Sequence, residues 1–154
     1  MPKKKKLDDL DYKILRELQK ECRTSLQDIA NVVGAPTSTV HYRVKRLEKN
    51  GVIEGYYAKI NSEKVDLDYL TLIAITTEYG QNYYDKIGKE MAKVDGVWSV
   101  YYTLGEYDFY VLTRSRNREE YMKILDALMC IEGMERTRTQ MIAKVIKEDP
   151  RLHI

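Results

Sequence analysis

Apolar residues recur at helical spacing through the first fifty positions. Leu10, Ile14, Leu15 and Leu18 follow i, i+4, i+5 and i+8, with Cys22 one turn on, and mark one face of a helix. Asp8, Asp9 and Asp11 stand at its start, where carboxylates meet the positive end of the helix dipole. Leu26, Ile29, Ala30 and Val33 share a face of a second, short helix over 25–33. Its S-x-x-D start, Ser25 and Asp28, resembles a capping box. Gly34-Ala35-Pro36 breaks that helix. A third helix is predicted over 37–50, with Val40, Val44 and Leu47 buried and Gly51 closing it.

Beyond Gly51 the period changes to two. GVIEGYYAKI (51–60) reads as a strand, and 61–68 as a polar hinge. Strands then fit 70–78, 97–104, 108–114 and 134–146, and helices fit 83–94 and 118–131. In the helices, Tyr83, Ile87, Met91 and Val94, then Tyr121, Leu125 and Leu128, read as core. The order β-α-β-β-α-β resembles a ferredoxin-like split βαβ unit. The expected fold class is α+β: a helix-turn-helix at 1–52, a hinge strand and linker at 53–68, and a ferredoxin-like module at 69–154.

Two helices joined by a tight Gly turn, the second polar and basic outside its buried stripe, form a helix-turn-helix. Ser38, Thr39, His41, Tyr42, Arg43, Lys45 and Arg46 lie off that stripe. A helix of this width enters the major groove of double-stranded DNA, its first turn reaching base edges and its later cations reaching phosphates. Arg43 is a candidate for a bidentate pair with a guanine.

The sheet carries a second signal. Two helices cover one face of a four-stranded antiparallel sheet, so the other face should be polar. It is not: Leu72 and Ala74 share one parity with Thr76, and Phe109 to Leu112 is apolar on both. Such a patch marks an interface, most simply with a two-fold copy of the same chain. The alternative is cover by the chain's own 51–60 strand. Thirteen aromatics are Tyr, against one Trp and one Phe, which suits an interface.

Charge sharpens the division. The 154 residues carry a net charge of +2, but residues 1–50 hold 12 Lys/Arg against 7 Asp/Glu, and the remainder 14 against 17. A basic first third suits a polyanion, although Lys3–Lys6 supply much of the excess. No run approaches the ~18 apolar residues of a membrane span, and MPKKKK leads into LDDLDYK without the apolar stretch of a secretory signal. Cys22 and Cys130 stand far apart without a CxxC pattern, which argues against a disulfide scaffold or thiolate zinc site and for a cytoplasmic location. With two histidines and no paired acid and base, nucleophile–base set or phosphate loop, neither an enzyme, a metal site nor a cofactor is expected.

A small-ligand site has one candidate. Gly105-Glu106-Tyr107-Asp108 turns the second strand into the third, and Arg136-Thr137-Arg138-Thr139-Gln140 opens the last, with Thr137 and Thr139 on one face. A carboxylate, hydroxyls and backbone amides together suit a zwitterion: Asp108 takes the ammonium and the donors take the carboxylate. The alternative is an ordinary polar turn and strand edge.

STVHYRVKRLEKNGVIEGYYAKIN, followed by GVWSVYYTLGEYDFYV and RTRTQ, resembles the Lrp/AsnC (feast/famine) family of bacterial and archaeal transcription regulators, over about residues 7–150. The resemblance implies a winged helix-turn-helix, a hinge strand and a sensing module that pairs through its sheets. It also implies homodimers that assemble into tetramers or octamers, with an amino acid bound between dimers. Carried onto this chain, the DNA-reading positions are Thr37, Ser38, Thr39, His41, Tyr42, Arg43, Lys45 and Arg46. The effector positions are Tyr79, Tyr101, Gly105, Asp108, Thr137 and Thr139. Three features depart from the family pattern. Pro36 precedes Thr37, which puts Thr37 at the expected N-cap; the Lys3–Lys6 tail is extra; and Glu106 adds a charge to the effector loop. An architectural, DNA-compacting role is the competing reading.

Overall fold

The computed structural model describes residues 6–78, 80 and 83–154. Lys3 to Lys5 and Tyr79 lie outside the described residues. The chain divides into two compact units, one running to Lys59 and including Asp149–Ile154, the other Ile60–Glu148.

The first unit holds α1 (Asp9–Lys20), α2 (Leu26–Val33) and α3 (Thr37–Lys49). Ile14, Leu15, Ile29, Ala30, Val40, Val44 and Leu47 form its core, the predicted apolar faces of the three helices. Each large side chain so buried contributes about 1.5–3 kcal/mol. Cys22 falls beyond the end of α1 and is exposed. Asp8 and Asp11 form a reciprocal capping box at the start of α1. Ser25 accepts from the Asp28 amide at the start of α2. Gly34 ends α2 at φ 70°, the left-handed conformation that lets the chain turn into α3. The expected Thr37 cap is corrected. Pro36 is the N-cap, no side chain caps α3, and Thr37 Oγ1 donates to Gln27 Oε1 at 2.7 Å, tying α3 to α2. The last residues of the chain belong to this unit, a boundary the sequence pattern does not announce. Gln19 Nε2 donates to the Leu152 carbonyl at 3.1 Å and its Oε1 accepts from the Leu152 amide at 2.7 Å.

The second unit contains β1 (Tyr69–Thr77), α4 (Tyr83–Met91), β2 (Val97–Tyr102), β3 (Phe109–Ser115), α5 (Arg118–Met129) and β4 (Met134–Met141). The sheet is antiparallel in the order β2-β3-β1-β4, which is the ferredoxin-like arrangement. Ile73, Ile75, Phe109 and Val111 pack on Ile87 and Met91 of α4 and on Tyr121, Ile124 and Leu128 of α5. Strand β4 stops at Met141 rather than 146. Its partner β1 begins at Tyr69, and one further bond, from the Ile142 amide to the Leu70 carbonyl, exhausts the ladder.

The expected strand over 51–60 is absent. Among the described residues no strand ladder includes it, and Tyr56, Tyr57 and Ile60 are 48%, 69% and 63% exposed. An extended segment needs a partner for its backbone donors, and its β-forming composition supplies none. The four-stranded sheet therefore does not include it. Arg114 ties together the segments that precede and follow the sheet in sequence, donating to Ser62 Oγ at 3.0 Å and to the Glu148 carboxylate at 2.9 and 3.0 Å.

Gly96 enters β2 at φ +86°, and a Cβ there would lie 2.4 Å from Ile124 Cδ1 and 3.2 Å from the Arg114 carbonyl. Gly96→Ala combines backbone strain with a clash, and a loss of about 2–4 kcal/mol is expected in urea titration of the full chain.

Candidate functional site

Helix α3 turns about 100° per residue. Opposite its buried Val40, Val44 and Leu47 stand Ser38, Tyr42, Lys45 and Lys49, all exposed, with Tyr42 62% accessible. His41 is exposed on one flank, and Thr39 is half-buried on the other. Lys49 is absent from the sequence expectation. Its spacing of four from Lys45 and seven from Tyr42 was the available signal. Lys45 Nζ donates to Glu48 Oε2 at 3.0 Å, and Tyr56 Oη donates to Glu48 Oε1 at 3.1 Å. These bonds, Lys45 first, lower the Glu48 carboxyl pKa. Partial burial and Glu48 push the Tyr56 phenol up to about 12.

Arg43 and Arg46, expected to reach DNA, are paired within the chain. Their side chains are each 20% exposed and turn toward α1. Arg43 Nη1 donates to Asp8 Oδ2 at 2.5 Å and to Asp11 Oδ1 at 3.1 Å. Arg46 Nη2 donates to Asp11 Oδ1 at 2.7 Å and Oδ2 at 2.5 Å. The Asp8 amide donates to Asp11 Oδ2 at 3.2 Å. Asp11 is 0% exposed, and these donors use all four of its lone pairs. The capping carboxylates of α1 thus also anchor α3.

A hydrogen bond from Arg43, then one from the Asp11 amide, holds the Asp8 carboxyl below its ordinary range. A pKa depressed in the folded form gives stability that is present above the unfolded value of about 3.9 and lost as pH falls through the lowered one. Circular dichroism at falling pH should therefore show the α1–α3 packing loosening below about pH 4, and Asp8→Asn should weaken that dependence.

In the second unit, Asp108 Oδ2 accepts from the Thr77 amide at 2.8 Å and from Thr77 Oγ1 at 3.2 Å, closing the end of β1. Gly105 lies in the exposed loop after β2, with no atom within 4 Å of where a Cβ would be. Thr137 and Thr139 oppose Ile75 and Ile73, so they share the helix-covered face, where Thr139 Oγ1 bonds Tyr121 Oη at 2.5 Å. Tyr101 pairs with Tyr110, which pairs with Ala74, so it lies on the opposite face and is 55% exposed. Strands β2 and β4 are the two edges of the sheet, three spacings or roughly 14 Å apart. One protomer does not gather Tyr101 with the two threonines.

The face without helices carries Leu72, Ala74, Tyr110 and Leu112 at its centre, flanked by Tyr101, Arg138 and Gln140. Leu72, Ala74, Tyr107, Tyr110, Arg138 and Gln140 line a hollow of about 80 Å³. Trp98 is 47% exposed and lies beneath the Arg114 guanidinium, 5.9 Å from the ring centroid.

Known proteins share both units. Residues 7–54 match the family model for winged helix-turn-helix DNA binding, and 71–152 match the Lrp/AsnC ligand binding domain. The chain is 37% identical over 148 residues to the HTH-type transcriptional regulator FL11 of Pyrococcus furiosus, covering 96% of this chain and 97% of that protein. It is similar to the crystal structure of the leucine response regulatory protein LrpA of Mycobacterium tuberculosis, at 32% identity and a TM-score of 0.84, covering 96% of this chain and 99% of that one. It is equally similar to a feast or famine regulatory protein of M. tuberculosis complexed with L-methionine, at 30% identity and a TM-score of 0.85, covering 96% and 99%. No helix among the described residues is long and apolar enough to cross a membrane. Matched in both halves and along nearly its whole length, the chain belongs to the Lrp/AsnC family and is a DNA-binding transcriptional regulator of that type.

Proposed function

We propose that the chain acts as a homodimer that reads specific DNA sites and responds to an amino acid. The carrying observation is the outward stripe of α3, with Ser38, Tyr42, Lys45 and Lys49 facing away from the core, flanked by His41 and Thr39. Ser38 and Thr39 occupy the first turn and meet base edges; Tyr42 offers an apolar ring and a hydroxyl; the lysines meet phosphates. Thr37 acts through its bond to Gln27, by fixing the angle at which α3 leaves α2.

The dimer forms through the helix-free sheet face, where Leu72, Ala74, Tyr110 and Leu112 meet a two-fold copy. Further assembly to tetramers or octamers brings Tyr101 of one protomer toward Thr137 and Thr139 of another, since a single protomer keeps them on opposite edges and faces of its sheet. Two features support an amino-acid effector. Asp108 keeps one carboxylate oxygen clear of its Thr77 bonds, and a similar M. tuberculosis regulator is complexed with L-methionine.

A dimer should protect two half-sites in inverted repeat, about 10 bp apart between centres, in footprinting of its own promoter region. A ratio of specific to non-specific affinity near one at fixed salt would instead favour DNA compaction. Calorimetry against the twenty amino acids should find a ligand that changes DNA affinity or assembly. Asp108→Ala should abolish that response while retaining DNA binding; an unchanged response would remove Asp108 from the site.

A further inference from the structure

Three of the five basic residues between 23 and 50 are paired with carboxylates. Arg43 meets Asp8 and Asp11, Arg46 meets Asp11, and Lys45 meets Glu48. Among the described residues, Arg23 and Lys49 have no such ion pair. The positive field that α2 and α3 present is therefore smaller than their composition suggests. The two arginine pairs differ from the lysine pair in kind. Lys45 is 65% exposed and turns with ordinary side-chain motion, whereas both guanidiniums are held on a carboxylate that is 0% exposed and has no acceptor site left for water.

Arg43 and Arg46 stand one turn apart on the flank of α3 beside the outward stripe, so a released guanidinium has the length to reach a phosphate. Attraction to phosphate is indifferent to sequence. Each arginine freed from Asp8 and Asp11 adds affinity for every duplex alike and lowers the ratio between the right site and the rest.

Resting on the reading of α3 as the DNA-reading helix, we propose that Asp8 and Asp11 are specificity-determining positioning residues: they draw Arg43 and Arg46 back onto α1, fix the tilt of α3, and keep two cations from the phosphate backbone. The acids touch no DNA. They act by deciding which side chains of α3 do. Asp8 is the exposed half of the pair, 52% accessible, and adjusts the hold on Arg43 alone. Asp11 is the buried half and holds both.

The test uses the full chain and two probes: a 30-bp duplex selected from randomised DNA, and a scrambled duplex of the same composition. Affinities are measured from 50 to 300 mM salt. Asp11→Asn should bind the scrambled duplex about tenfold more tightly at low salt, and its log–log salt dependence should steepen by about 0.9 for each guanidinium released. The preference for the selected duplex should fall several-fold. Asp8→Asn retains a good helix cap, so it folds, and it should move the same quantities the same way by less. Arg43→Gln should leave the salt slope unchanged.

A purely structural role would weaken binding to both duplexes without steepening the slope, and that result from both Asp variants overturns the proposal. A slope flattened by about 0.9 in Arg43→Gln also overturns it, because Arg43 would then contact phosphate itself. If selection returns no preferred duplex, the reading as a specific regulator fails and the specificity role with it, and the slopes on the scrambled duplex still decide whether the two acids withhold Arg43 and Arg46 from phosphate.

Discussion

Asp11→Ala is expected to unfold the helical unit at temperatures where the βαββαβ unit persists. Removing one partner of a buried pair costs about 3–5 kcal/mol, because the other charges stay behind uncompensated. Here two guanidiniums lose their shared acceptor, and α1 loses half of its capping box. A domain of this size has only about 5–15 kcal/mol to lose. Scanning calorimetry should resolve an early transition for α1–α3, and the far-ultraviolet signal should fall with it. A variant that also replaces Arg43 with Leu and Arg46 with Met removes the buried carboxylate and both guanidiniums together, leaving only the exposed Asp8, and most of the lost stability should return. A single unshifted transition in Asp11→Ala would show that the network is energetically idle.

The second large effect concerns assembly. Tyr110→Glu places a carboxylate at the centre of the helix-free face, beside Leu72, Leu112 and Ala74. In a dry two-fold contact the charge meets its own copy, and like charges brought together there cost several kcal/mol. Light scattering should report a monomer at micromolar concentration. Affinity for a two-half-site duplex should drop by about 10²–10⁴, because the second half-site is no longer bound as an intramolecular event. Binding to an isolated half-site should change little. A dimer that survives Tyr110→Glu would place the subunit contact elsewhere.

Much of the architecture was legible because both periodicities are strong. Val40, Val44 and Leu47 in α3, and Ile73 and Ile75 in β1, report their buried faces directly. Strand ends were less legible because they depend on partners: β4 ends where β1 has no more residues to offer. The 51–60 segment has strand composition and no ladder, for the same reason. In α3, the sequence identified the polar positions and could not say which of them turn back. Arg43 and Arg46 have the pattern of DNA contacts, and their bonds to Asp11, more than thirty residues earlier, cannot be read from that pattern. In the second unit, period-two alternation places Thr137 and Thr139 on one face, as the register shows. It could not show that Tyr101 lies across the sheet, since that depends on the register of β2 on β3 and of β3 on β1.

The split between the outward stripe of α3 and its anchored flank has an evolutionary consequence. Ser38, Tyr42 and Lys49 touch neither the core nor the Asp8–Asp11 anchor, so a duplicated gene could drift at those codons and acquire new target promoters while its product kept folding. Sister regulators in one genome could then diverge in their binding sites with a shared chassis, and exchanging those three side chains between two such sisters should exchange the promoters they occupy.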